Sequence, residues 1–217
     1  MYWNTVDPKL QTVLLQLMEE SLFDSFRLVG GTALSLQLGH RMSIDIDLFT
    51  DALYGSIDFK VIDTYLRHHF AHVSPPWDNQ PIGMGRGYVV GESVAREDLI
   101  KMDLYYTDQF IRPFMMAGNV RMATIEEIAA MKIDVVQREG RKKDFWDIHE
   151  MLTVLTLEQM IALHEERYPF NHDINTIHTN LSDFSNAEDD LDPICLRGKH
   201  WEFIKLELAT AVEELKR

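Results

Sequence analysis

Residues 28–49 read Leu28-Val-Gly-Gly-Thr-Ala-Leu-Ser-Leu-Gln-Leu-Gly-His-Arg-Met-Ser-Ile-Asp-Ile-Asp-Leu-Phe49. The stretch predicts the end of a strand, a glycine turn, a short helix and a second strand carrying two carboxylates. In that second strand Ser43, Asp45 and Asp47 alternate with Ile44, Ile46 and Leu48. A period of two sends the polar set to one face and the aliphatic set to the core. Carboxylates two residues apart on a strand lie roughly 6.5 Å apart at their Cα atoms, close enough to converge on one or two divalent ions. The plainer alternative is a polar strand face with surface aspartates. Aspartate is a poor strand former, however, and two on one face repel unless something cationic sits there.

The glycines supply the other half. Gly30 and Gly31 follow a short apolar run, and a helix is predicted from Ala33 to Leu38. Backbone N–H groups at such a turn and at a helix N-terminus make an anion cradle, and glycine permits close approach. Thr32 is placed to cap the helix or to donate its hydroxyl to a phosphate. Any tight turn can use a glycine pair. One followed 14 residues after Gly31 by an Asp-x-Asp strand is more specific, because it sets an anion site beside a metal site. Phosphoryl and nucleotidyl transfer need both.

Outward from this unit, Asp7-Pro8 opens a helix over residues 9–20, and residues 26–29 form the first strand. A further helix runs from Asp58 to Phe70, and a strand or hairpin arm covers 87–94. The stretch 75–81, rich in proline, reads as irregular. Residues 98–106 alternate cleanly, with Met102 and Leu104 pointing one way and Lys101 and Asp103 the other. Asp103 is the candidate third carboxylate, beside Asp45 and Asp47 on a neighbouring strand. The competing reading is an edge strand guarded by a lysine.

From about residue 120 the chain reads as nearly all helix. Thr124-Ile-Glu-Glu127 has the form of a capping box. Helices follow over 125–139, 142–152, 157–167, 171–180 and 199–216, with an acidic loop at 182–193. His68, His69 and His72 read as surface histidines. Tyr105, Tyr106 and Trp77 could stack on a base or pack in the core.

The 217 residues carry 35 acidic and 21 basic side chains, a net charge of −14, and one cysteine. That balance argues against a broad basic nucleic-acid surface. A local patch remains at Arg138, Arg141, Lys142 and Lys143, which would grip an RNA end or merely be solvated charge. A lone cysteine excludes an internal disulfide, and neither a signal peptide nor an 18-residue apolar run is visible, so a cytoplasmic protein without membrane contact is expected.

Taken together, Gly30-Gly-Thr-Ala-Leu34, Arg41-Met-Ser-Ile-Asp-Ile-Asp-Leu-Phe49, Leu99-Ile-Lys-Met-Asp-Leu104, Ile128-Ala-Ala-Met-Lys132 and Arg141-Lys-Lys-Asp-Phe-Trp-Asp147 resemble the AbiEii/AbiGii toxin family. These are nucleotidyltransferases of the polymerase-beta-like superfamily. The resemblance implies an α+β fold: a mixed sheet with flanking helices as catalytic domain (1–120), then a helical C-terminal domain (121–217) completing the nucleotide site. It implies Mg²⁺ or Mn²⁺ as cofactor and an NTP as substrate. The acceptor it suggests is an RNA, such as a tRNA end, and the partner a cognate antitoxin.

By the same resemblance Asp45 and Asp47 match the metal-binding aspartates, and Gly30, Gly31 and Thr32 the phosphate-holding turn. Lys132 and Asp144 match the lysine and aspartate of the helical half, and Arg41 and Ser43 match family positions. The wider superfamily has Gly-Ser where this chain has Gly30-Gly31, so no serine hydroxyl is available there. Asp103 would lie nearest the activated hydroxyl, and Lys132 would neutralise nucleotide charge. Two alternatives stay open: nucleotidylation of a protein or small molecule, and a non-catalytic nucleotide- or partner-binding module.

Overall fold

The computed structural model describes residues 1–77 and 83–216. Asp7 accepts the Lys9 N–H and Pro8 occupies the first turn of α1 (Pro8–Glu19), whose buried stripe is Leu10, Leu14, Leu17 and Met18. β1 (Arg27–Leu28) leads into α2 (Gly30–Leu38) and β2 (Asp45–Thr50). Asp58 caps α3 (Phe59–His69) through the N–H groups of Lys60 and Val61. Then come β3 (His72–Ser74), β4 (Gly85–Gly91), β5 (Ile100–Tyr106), β6 (Met115–Ala117) and β7 (Val120–Met122). Of the 75–81 stretch, 78–81 lie outside the described residues.

Among the described residues these strands make one mixed sheet in the order β3-β4-β5-β2-β1-β7-β6. β2 runs parallel to β5, pairing Asp45 with Lys101, Asp47 with Asp103 and Phe49 with Tyr105. The alternation of β2 holds from Asp45 onward: Ile46 and Leu48 are fully buried, as are Met102 and Leu104 of β5. Ile44 departs from it. Its side chain is 72% exposed, because the regular strand begins only at Asp45. β3 and the β6–β7 hairpin were not anticipated, since three residues are too few to show a period. β7 pairs with β1, so the sheet continues to Met122, past the compositional shift.

The helical part comprises α4 (Ile125–Gln137), α5 (Lys142–Met151), α6 (Leu157–Arg167), α7 (Ile174–Asn180) and α8 (Trp201–Leu215). Thr124 caps α4 by accepting the Glu127 N–H, but the capping box is only half made. The buried Glu127 carboxylate instead accepts the Arg112 N–H at 2.9 Å and pairs with Arg167, tying α4 to α6. The acidic 182–193 segment keeps Asp183, Glu188, Asp189 and Asp192 exposed, as expected of a solvated loop. It folds onto the start of α5, where Asp190 accepts the Lys142 N–H and the Lys142 ammonium donates to the carbonyls of Glu188 and Asp190. Beyond it the chain runs beside residues 40–42: Met42 N–H donates to the Ile194 carbonyl and Leu196 N–H to that of His40. No helix is long and apolar enough to cross a membrane.

Candidate active site

Asp45 and Asp47 project from the polar face of β2, with Asp103 directly across from Asp47 on β5. Two glycines clear the space around them. Gly30 has a left-handed φ of +67°, and a Cβ there would stand 2.6 Å from Asp47 Oδ2. A Cβ at Gly87 on β4 would stand 2.9 Å from Asp103 Oδ1. Burial, reinforced by the charges of Asp103 and Asp45, pushes the Asp47 carboxyl up to about 6. Lysines stand at the rim: Lys101 Nζ is 2.5 Å from Asp103 Oδ2, and Lys143 Nζ is 3.6 Å from Asp45 Oδ2.

The donor set fits a hard divalent cation, which prefers carboxylate oxygens. The fit is to the chemistry and not to a finished cage. Among the described residues no three His, Cys, Asp or Glu side chains already stand together at ligating spacing.

The glycine pair lies inside the first turn of α2 rather than before it, and the N-cap is Val29, with no side-chain cap. Thr32 therefore does not cap. Its hydroxyl is buried, 2.7 Å from Ser43 Oγ and bonded to the Asp45 carbonyl, so it is not offered to a phosphate. Ser43 is buried with it, its N–H donating to the Thr5 carbonyl at 2.8 Å. Both side chains brace the entry to β2. A Cβ at Gly31 would lie 2.3 Å from an Arg41 guanidinium nitrogen. The Arg41 side chain thus fills the space that a serine at that position would claim.

Arg41 is buried and bound to Asp147 by two bonds, Nε to Oδ1 at 2.6 Å and an Nη to Oδ2 at 2.8 Å. His40 Nε2 lies 2.8 Å from the same carboxylate. Lys132 is buried between Asp144 (2.7 Å) and Asp147 (2.5 Å). Its ammonium is paired inside the protein while its side chain lines the inner cleft with Asp47. Burial disfavours ionising both aspartates, yet Lys132 holds Asp144 low, and Arg41, Lys132 and the His40 bond hold Asp147 well below the usual range. Asp144 also closes the first turn of α5, accepting the Arg141 N–H at 3.1 Å. Asp147 was missed by sequence reasoning. The available signal was a helix carrying six charged or titratable groups, five of which the structure buries.

The expected basic patch is not one patch. Lys142 is buried under the 188–192 segment, and Arg138 pairs with Asp134. Arg141 and Lys143 alone turn to the cleft. Its inner part, about 210 Å³, is lined by Gly30, Gly31, Asp45, Asp47, Arg41 and Lys143, with Phe49, Ile128 and Met131 as an apolar wall. It opens past Arg41, Ser43, Asp45, Arg141 and Lys143 into an outer part of about 510 Å³, walled by Ile44 and residues 190–194. Of the histidines read as surface groups, His68 and His69 are exposed and His72 is partly so.

Comparison with known proteins agrees with this geometry. No curated protein matches the chain. Among solved structures, a Helicobacter pylori protein proposed to be a nucleotidyltransferase superimposes with a TM-score of 0.60 at 15% identity, over 95% of this chain and 91% of that one. JHP933 from H. pylori gives 0.58 at 16% identity, over 96% and 92%. MenT4, a nucleotidyltransferase toxin from Mycobacterium tuberculosis, gives 0.55 at 12% identity, over 94% and 82%. At such identities the likeness is one of fold. The sequence itself matches, over residues 12–214, the family described as nucleotidyl transferase AbiEii toxin, type IV TA system, and the chain belongs to that family of nucleotidyltransferases.

Proposed function

We propose that the cleft transfers a nucleotidyl group from an NTP to an RNA end, such as that of a tRNA, as the toxin of a toxin–antitoxin pair in the cytoplasm. The observation that carries this reading is the row Asp45, Asp47 and Asp103 facing the uncapped first turn of α2. Asp45, Asp47 and Asp103 would hold Mg²⁺ or Mn²⁺, which supplies charge neutralisation on the phosphates and lowers the pKa of the attacking hydroxyl. The amides of Gly30 and Gly31, with Lys143 at the rim, receive the triphosphate. The acceptor oxygen bonds to the α-phosphorus, the bond to pyrophosphate breaks, and the hydroxyl proton passes to the Asp103 carboxylate. Arg41, Lys132, Asp144 and Asp147 act as positioning residues, while Thr32 and Ser43 fix the start of β2. Residues 121–217 complete the nucleotide site as a helical domain on the catalytic 1–120 half. The family membership implies an antitoxin partner.

Incorporation of each of the four α-labelled NTPs into total RNA, with Mg²⁺ and without, tests the reading. Metal-dependent labelling of RNA by wild type and none by Asp47→Asn is expected. Label in protein or a small molecule instead would move the acceptor class. NTP binding without any transfer would point to a binding module.

A further inference from the structure

Two rows of side chains cross β2, β5 and β4 on the active face. Asp47 pairs with Asp103, which pairs with Gly87. One step further along, Phe49 pairs with Tyr105, which pairs with Gly85. Each row ends on a glycine. A Cβ at Gly85, whose φ is +156°, would meet the β5 backbone first, at 2.2 Å from the Leu104 carbonyl oxygen and 2.6 Å from Tyr105 Cα, and then Tyr105 Cδ1 at 2.7 Å, while one at Gly87 would lie 3.9 Å from the Tyr105 hydroxyl oxygen. The ring therefore extends over the glycine strand toward Asp103. Phe49 braces it at 6.1 Å between centroids with planes at 67°. Tyr105 is partly exposed, and among the described residues its hydroxyl makes no hydrogen bond. Interior strand glycines often mark a place where a ligand comes close.

The chemistry decides which ligand. In-line displacement sets the attacking and leaving oxygens on opposite sides of the α-phosphorus. With pyrophosphate directed to Gly30 and Gly31 on the β1 side, the attacking hydroxyl arrives from the β5–β4 side, where Tyr105 lies. Two residues along a strand span about 6.7 Å, comparable with the reach from base to sugar hydroxyl in a nucleoside. Unpaired RNA bases are commonly seated on aromatic rings.

We propose that Tyr105 is the stacking platform for the terminal base of the acceptor RNA, holding that nucleotide over the Gly85–Gly87 floor with its ribose hydroxyl at Asp103. This rests on the reading of the reaction as transfer to an RNA end. The test uses the full chain with unfractionated tRNA as acceptor, comparing Tyr105→Ala, Tyr105→Phe and Tyr105→Trp. Tyr105→Ala should raise the acceptor KM about tenfold and leave the NTP KM unchanged, while Phe and Trp stay within about twofold of wild type. Fluorescence anisotropy of a labelled single-stranded RNA should show the same order without turnover. Equal acceptor KM and equal anisotropy for wild type and Tyr105→Ala, with RNA labelled by both, would overturn the platform alone. A raised NTP KM instead would place Tyr105 on the nucleotide and also overturn it. If wild type labels no RNA, the reaction itself has been misread and the platform falls with it.

Discussion

Asp45, Asp47 and Asp103 on the sheet and Asp144 and Asp147 on α5 meet at one cleft under opposite electrostatic conditions. On the sheet, like charges face one another, and burial with mutual repulsion raises Asp47. On α5, Lys132 and Arg41 are built in against the carboxylates, and both are lowered. In the first group Lys101 and Lys143 pair with Asp103 and Asp45, while among the described residues Asp47 makes no ion pair of its own. The second is complete on its own and holds the walls of the cleft together. Under the proposed reaction, identical side chains separate into reacting and positioning roles by what stands opposite them.

Substitution tests that separation most sharply at Asp47. Asp47→Asn should reduce transfer by about a thousandfold or more, since several kcal/mol of charge stabilisation are lost with the metal. Its melting temperature should hold or rise, because a repulsive charge is removed. Asp147→Asn should act the other way, costing stability first. Leaving Arg41 and Lys132 partly unpaired costs about 3–5 kcal/mol, or on the order of 10 °C in Tm for a chain of this size. The lowered Asp147 carboxyl also sets a pH dependence. Between its folded value and the ordinary 3.8 the unfolded chain binds the extra proton, so its contribution is present above about pH 4 and lost on acidification. Thermal melts between pH 3 and 6 should therefore be shallower in pH for Asp147→Asn than for wild type.

A smaller effect should follow from added metal. Mg²⁺ or Mn²⁺ at about a hundredfold excess over Kd stabilises by about 2.7 kcal/mol, a rise of several degrees in wild type. Asp45→Asn and Asp47→Asn should lose most of that rise, whereas Asp147→Asn, starting lower, should keep it. An equal rise in all of these variants would mean that the sheet carboxylates do not bind the ion. The smallest change is expected at Arg138, whose side chain is 65% exposed and paired with Asp134. Arg138→Glu should shift stability by no more than about 1 kcal/mol and leave RNA kinetics alone. A large loss of RNA affinity there would restore the basic patch that the structure divides.

The parts of this arrangement that were legible in the sequence are those written in a period. Asp45, Asp47 and Asp103 show themselves because aliphatic residues alternate with them, and that alternation fixes strand and face together. Thr124 and Asp7 show themselves through the capping chemistry of the residues after them. The fates of Lys132, Lys142 and Arg41 were not legible, since a buried, paired cation and a solvated one are the same letter. Their partners lie 12 to 106 residues away, at Asp144, Asp190, Asp192 and Asp147. Thr32 was misread for a related reason. A threonine after two glycines has the look of a cap, but the helix begins one turn earlier and its hydroxyl meets Ser43 and the Asp45 carbonyl.

The return of residues 194–196 to lie along residues 40–42 has a consequence in time. A ribosome that has released the first 150 residues has delivered Asp45, Asp47, Asp103, Asp144 and Asp147, but not the segment that walls the outer cleft and covers Lys142. That closure joins chain positions more than 150 residues apart, a contact of the kind that forms late and slowly. The nascent protein would carry its chemistry in an unfinished vessel until residues 190–196 have been made and have folded back.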